Sequence, residues 1–219
     1  QFSDNSMPSG LGGPSLSRLK FGTLFLDANL DSHLDVAVAN GQIHRQAQRV
    51  FGTPYAQQAQ LFTGDGKGRF TEVSSKAGPY FQEFRVGRGL ADADFDRDGK
   101  PDMVFSHVGG PMALLRNRTK AENAWIAVEL IGDGKKSNRN AIGAKLEFEF
   151  AGRKHFRYIM GGGSYLSASE YRQVVGLGNA SRVDLLRVTW PSGAKQEFRD
   201  ISARQNYRLR EGGSLEKDR

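Results

Sequence analysis

The 219-residue sequence predicts an all-β fold. Three observations carry that prediction. Glycine is abundant, with 27 residues that punctuate the chain at short intervals. The apolar runs are short and stop quickly, as buried strands do. Elsewhere apolar and polar residues alternate with period two, and no long stretch keeps the 3.6-residue period of an amphipathic helix.

Residues 1–17 (QFSDNSMPSGLGGPSLS) are polar and rich in Gly, Ser and Pro, and read as a linker or lead-in. From Phe21-Gly22 to Asn40 the chain has a glycine turn, a short strand, an Asp-rich loop and a second apolar strand. The same unit returns from Arg88-Gly89 to His107, with Asp94 standing 67 residues after Asp27. Between the units, residues 61–73 carry a Gly64-Asp65-Gly66 core that signals a tight hairpin. Leu114 to Asn117 begins a further arm. From about residue 123 the pattern becomes clean alternation, in residues 125–130 and 145–150, where Leu146, Phe148 and Phe150 share one face. A strand over 183–190 is turned back by Pro191-Ser192-Gly193 into 195–198. One buried and one solvated face implies an antiparallel sandwich or barrel-like domain. Residues 212–219 read as a frayed tail. The expected organisation is therefore lead-in 1–17, Asp-loop repeats 18–120, a second β-domain 123–211 and tail 212–219.

The Asp loops carry the chemistry. Asp94, Asp96, Asp98 and Asp102 occupy positions 1, 3, 5 and 9 of one loop, with Gly99 at position 6. Alternate side chains converge on one point only if the chain curls around it, and Gly99 permits the positive-φ bend of such a curl. Four carboxylates so close repel one another unless a cation sits between them, and a flexible all-oxygen loop favours Ca²⁺ over Mg²⁺. The carbonyl of Lys100 would complete the set. Asp27, Asn29, Asp31 and Asp35 repeat the spacing, with the His33 carbonyl at position 7 and Ser32 at the glycine position. One fewer charge and a costlier bend predict a weaker site there. The alternative is a pair of Asp/Gly-rich surface turns. The sequence argues against an EF-hand, because position 12 is Phe105 or Val38 where a bidentate Glu is expected.

The formal charge is +7, and the basic residues are dispersed. They make a solvated basic surface, or one that attracts an acidic glycan, an anionic membrane or an acidic protein. Nucleic acid is not expected, since no recognition motif accompanies the charge. No run is long and apolar enough to be a membrane helix. The absence of cysteine excludes disulfides, thiol nucleophiles and Cys-ligated zinc. The absence of a signal peptide, with Gln1 in place of an initiator Met, reads as a mature or truncated product. Calcium loops of this kind suit millimolar external calcium, so export is expected, to the periplasm, the cell surface or beyond.

No catalytic constellation is visible. His33, His44, His107 and His155 form no H-E-x-x-H, and there is no G-x-S-x-G elbow. Gly161-Gly162-Gly163 lacks the phosphate-loop pattern and reads as a glycine-rich bulge. Tyr165 and Trp190 are either core aromatics or a ligand platform. Asn138, Arg139 and Asn140 form a polar turn that either contacts a partner or closes a loop through Asn hydrogen bonds.

Taken in order, these motifs resemble known families. The D-x-[DN]-x-D-x-x-x-D loops flanked by strands are similar to FG-GAP (VCBS-type) propeller repeats. Residues 136–144, 161–167, 176–178 and 190–193 are similar to the ASPIC/UnbV domain, in the order found in bacterial relatives of cartilage acidic protein. The resemblance implies a partial, calcium-binding β-propeller followed by an ASPIC/UnbV β-domain, with two Ca²⁺ held by the ten residues named above. A closed propeller typically needs at least four blades and this chain supplies about two, so assembly with missing blades is one expectation. The function expected is a non-enzymatic, calcium-rigidified interaction or adhesion module that binds a protein or a surface glycan. The alternatives are an accessory or catalytic part of a polysaccharide-active enzyme, or an extrinsic subunit of a membrane-associated complex.

Overall fold

The computed structural model describes residues 1–120 and 122–218. It is an all-β structure of four open sheets, with short helical turns only. The first sheet holds β1 (Lys20–Leu26), β2 (Asp35–Asn40), β3 (Gln60–Gly64) and β4 (Phe70–Glu72), in that spatial order. The second holds β5 (Gly87–Ala93), β6 (Asp102–His107) and β7 (Gly110–Leu115). Every neighbouring pair in both is antiparallel. The two sheets pack through a shared cluster that includes Leu24, Leu26, Ala37, Leu61, Leu90, Met103 and Phe105. Strand β2 is buried at all six positions, because its other face meets Phe62 and Leu11 through Val36 and Val38. That two-sided burial is why its sequence is a continuous run of small apolar residues rather than an alternation.

The remaining strands are β8 (Ala124–Ile131), β9 (Lys145–Phe150), β10 (Arg153–Tyr158), β11 (Gln173–Gly178), β12 (Arg182–Thr189), β13 (Lys195–Ser202), β14 (Gln205–Arg210) and β15 (Leu215–Asp218). They form one sheet in the order β10-β9-β12-β13 and another in the order β11-β8-β14-β15. Both contribute to one core, with Ile126, Val128, Val175 and Leu209 from one sheet and Leu146, Phe148, Leu186 and Val188 from the other. The alternation in β9 is realised as read, since Leu146, Phe148 and Phe150 are all buried. Trp190 is a core residue whose indole N–H donates to Gln196 Oε1 at 2.7 Å.

Several elements depart from the sequence reading. The lead-in is docked from Ser9 onward. The Ser9 carbonyl accepts the Phe70 N–H at 2.8 Å, Leu11 packs on β2 and β3, and a helical turn, α1 (Gly12–Ser15), follows. Leu11 and Leu16 among Gly, Ser and Pro give no periodic signal, so only tertiary contact reveals the docking of Leu11. The tail is not frayed over 215–218. There β15 pairs with β14, and Asp218 bonds Arg208 and Arg97. The second domain is not purely antiparallel, because β14 runs parallel to β8. After β13 the chain crosses to the opposite sheet and enters beside β8 in the same direction. The triple glycine is not a strand bulge, but part of an irregular loop between β10 and β11.

Candidate metal centre

Each Asp loop is a strand-to-strand connection, from β1 to β2 and from β5 to β6, and the two close alike. The carboxylate that starts the downstream strand folds back over the loop. Asp35 Oδ2 accepts the Ala28 N–H at 2.9 Å, and Asp102 Oδ2 accepts the Phe95 N–H at 3.2 Å. The other oxygen of each anchors the chain further on, through the N–H of Gly64 in β3 at 3.0 Å and of Asn117, just past β7, at 2.6 Å. The first carboxylate receives the amide of position 6, from Ser32 to Asp27 Oδ2 at 2.9 Å and from Gly99 to Asp94 Oδ2 at 3.0 Å. The carboxylate at position 5 receives the amide of position 7, from His33 to Asp31 at 2.8 Å and from Lys100 to Asp98 at 3.0 Å. Positions 4 and 6 are left-handed in both loops, with φ of 61° and 74° at Leu30 and Ser32 and 57° and 84° at Arg97 and Gly99. Ser32 thus adopts the strained bend that Gly99 adopts freely.

The second loop gathers its carboxylates. Asp94, Asp96 and Asp102 each place an oxygen within 4.8 Å of the others. The Asp94 side chain is fully buried, and its Oδ1 has no hydrogen-bond partner. An unpartnered buried carboxylate oxygen is costly, and a hard cation is the natural partner for it. Burial pushes Asp94 up to about 6, with Asp98 and Asp96 adding to the rise and the Gly99 amide and Arg172 opposing it. Asp96 is exposed and pairs with Arg116. Asp98 lies outside the trio, its carboxylate 3.7 Å from Lys100 Nζ.

The first loop is more self-satisfied. Asn29 Nδ2 donates to Asp31 Oδ2 at 3.0 Å, and Asn29 Oδ1 accepts the Asp31 N–H at the same distance. His33 Nδ1 lies 3.4 Å from Asp31 Oδ1. Among the described residues, its carboxylates do not close to the spacing of the second loop. Burial nevertheless pushes Asp27 up to about 7, with Asp31 and Asp35 adding and the Ser32 amide and Arg157 opposing.

Sequence reasoning missed that both loops are wedged against the second domain. Gly99 faces Trp125 of β8, where a Cβ would come within 1.9 Å of the indole. Gly176 of β11 faces the first loop, where a Cβ would meet Asp27 Oδ2 at 2.2 Å. Carbonyls of the first loop accept hydrogen bonds from Asn117 Nδ2, Asn123 Nδ2 and the Gly178 amide at 2.8 to 2.9 Å. Buried Arg172 donates to the Asp94 carbonyl at 2.6 Å, to Asn206 at 3.0 Å and to Glu170, whose Oε2 accepts the Asp94 N–H at 3.1 Å. Nothing in the spacing of Arg172 or Asn117 marks them. The glycines of Gly176-Leu-Gly178 are the local signal that could have marked the close approach, and the sequence reading uses them only for the ASPIC/UnbV resemblance.

The histidines beside the loops have structural contacts. His107 bridges the Tyr80 hydroxyl at 2.8 Å and the Pro111 carbonyl at 2.7 Å. The polar turn closes on itself through Asn138, whose side chain bonds both the N–H and the C=O of Ile142.

Residues 27–105 match the family described as FG-GAP-like repeat, and residues 134–216 match the family described as ASPIC and UnbV. Cartilage acidic protein 1 of Xenopus tropicalis is 33% identical over 111 residues, which is 49% of this chain and 16% of that protein. The Homo sapiens protein of the same name is 32% identical over 121 residues, 53% of this chain and 18% of that protein. The Mus musculus protein is 43% identical over 54 residues, 25% of this chain and 8% of that protein. The chain spans less than a fifth of the length of these relatives.

Proposed function

We propose that this chain, in which an FG-GAP-like repeat is followed by an ASPIC/UnbV domain, is a non-enzymatic binding module of an exported protein, braced by Ca²⁺ in its Asp loops. The two Asp-loop sheets act as neighbouring blades of a partial propeller, and the last two sheets as a sandwich-like companion domain. The observation that carries the reading is the buried, unpartnered Asp94 Oδ1 within a trio of carboxylates. Asp94, Asp96 and Asp102 would hold the ion in the second loop, with Asp98 and the Lys100 carbonyl turning in. Asp27, Asn29, Asp31 and Asp35, with the His33 carbonyl, would hold one in the first.

When bound, the ion supplies positive charge that offsets carboxylate repulsion. The protein's own contribution is mechanical. The loop amides fix the carboxylates, and the loops in turn support Trp125, Gly176 and Arg172 across the joint. A loop stiffened in this way holds the two domains in one orientation, as a binding surface requires. FG-GAP repeats and the cartilage acidic protein relatives support an extracellular or surface setting, and no helix among the described residues is long and apolar enough to cross a membrane. The partner is a protein or a surface glycan. The test is thermal melting of wild type and Asp94→Asn in calcium and in chelator, beside glycan- and protein-array binding under both conditions. A calcium-induced rise that is smaller in the variant, with calcium-dependent capture on the array, is expected. Identical melting in calcium and chelator would overturn the reading.

A further inference from the structure

A cleft of about 400 Å³ lies at the joint. Its walls are residues 23–26 of β1, 92–93 of β5, 156–158 of β10 and 173–174 of β11. Each of these strands is the edge of its own sheet, so all four sheets turn an edge toward this one space. The loop after β10 caps part of these edges, with Ser164 Oγ accepting the Thr23 N–H at 3.0 Å, Ser169 Oγ the Asp92 N–H at 3.2 Å and the Asp92 carbonyl the Glu170 N–H at 3.0 Å. Gly162 and Gly163 of the triple-glycine loop form part of the rim, which gives that motif a place that the calcium loops do not.

Arg157 is the notable side chain inside. It pairs across the ladder with Leu146, whose side chain is in the core, so Arg157 points to the inner face of its sheet. Among the described residues, its one hydrogen bond runs from Nη1 to the neighbouring Phe156 carbonyl at 3.0 Å. Among the described residues no carboxylate comes within the 4.0 Å of an ion pair. Asp27 and Asp92 are near enough to stabilise its charge while burial works against it. Arg157 therefore shares the cleft with Asp27 and Asp92 without an ion pair to either, beside Asp94, Glu170 and Arg172, which bond one another. A guanidinium has five N–H donors in a planar fork, and most of these are uncommitted here. Phe25 stands at the mouth, 62% exposed, on a strand whose neighbours Leu24 and Leu26 are buried.

This arrangement selects a ligand. One fork of donors fits one carboxylate, and bidentate Arg–carboxylate pairs are strong and directional. Asp92 would repel a doubly charged phosphate group more than a single carboxylate, yet it accepts hydrogen bonds from hydroxyls. The volume suits one or two sugar rings, and Phe25 offers an apolar surface to a ring face. We propose that the cleft binds a uronic-acid residue of an acidic glycan, with Arg157 taking the carboxylate and Asp92 the ring hydroxyls. The proposal rests on the reading of the chain as an exported binding module and names its ligand.

The test is calorimetric titration of the full chain with a galacturonate oligosaccharide and, separately, with a neutral cello-oligosaccharide of the same length. Saturable binding of the acidic sugar is expected, at least about tenfold tighter than the neutral one. Arg157→Gln should weaken it about tenfold to a hundredfold, since hydrogen bonds to charged groups are worth that much. Phe25→Ala, at an exposed position, keeps the fold and should weaken binding severalfold even if the arginine variant does not fold. No binding, equal binding of the neutral sugar, or binding unchanged in both variants overturns the proposal. Calcium melting curves on the same samples separate the two ideas. A calcium response without sugar binding removes the cleft assignment alone, whereas sugar binding without a calcium response leaves the cleft standing and removes the calcium brace.

Discussion

Raising the pH without calcium should destabilise this protein, and calcium should cancel the effect. Asp27 titrates at about 7 instead of its ordinary 3.8, and Asp94 at about 6, both chiefly because they are buried. An acid whose pKa is raised by folding binds its proton more tightly in the folded state. Its contribution is therefore present in full below 3.8 and is lost as pH rises toward 7. The difference for Asp27 is about three pH units at about 1.4 kcal/mol each, or at most about 4 kcal/mol. For a chain of this size that corresponds to about 8–16 °C in Tm. Asp94 adds in the same direction. His155 acts oppositely, since burial lowers its pKa and stabilises its neutral form, but it contributes equally with and without calcium. The informative quantity is thus the Tm in calcium minus the Tm in chelator. At pH 8, with calcium ten- to a hundredfold above a Kd of about 10⁻⁴ to 10⁻³ M, each occupied site adds about 1.4–2.7 kcal/mol. At pH 5 a proton holds Asp27 by about a hundred to one over the ionised form, and the increment from the first loop should vanish. The assay is differential scanning calorimetry at pH 5, 6, 7 and 8 in both conditions. A calcium increment that is flat or shrinks with rising pH would refute the electrostatic reasoning.

Four substitutions probe the remaining geometry. Gly99→Ala adds a Cβ at left-handed φ against the Trp125 indole and should cost about 2–5 kcal/mol in chemical denaturation. Ser32→Gly relieves the strained bend at φ 74° and should add about 0.5–1 kcal/mol, with tighter calcium binding at the first loop by calorimetry. Arg172→Met leaves Glu170 and the Asp94 carbonyl without their partner and should cost about 3 kcal/mol. It should also speed hydrogen exchange in residues 94–99. Asp98→Ala should lower calcium affinity less than Asp94→Asn, because Asp98 stands outside the carboxylate trio.

Local pattern made much of this structure legible. The β9 alternation, the hairpin at Gly64-Asp65-Gly66 and both Asp loops were readable because each is set by neighbours within a few residues. Gly99 was readable for its φ but not for its neighbour, since contact with Trp125 depends on how two domains meet. The docking of Leu11, the pairing of β15 and the parallel entry of β14 beside β8 rest on long-range contacts with faint local signals. The four-residue β15 has a single apolar residue, Leu215, and is held in part by Asp218 to Arg208 and Arg97. Site residues divide in the same way. The carboxylates follow from spacing, whereas Asn117, Glu170 and Arg172 are recruited from distant parts of the chain.

Isothermal titration of the wild-type chain with calcium at pH 8, repeated on Asp94→Asn and Asp27→Asn, tests the central claim most directly. The account predicts two ions, the tighter one lost in Asp94→Asn and the weaker one in Asp27→Asn. No binding by wild type, or binding untouched by either substitution, would contradict it.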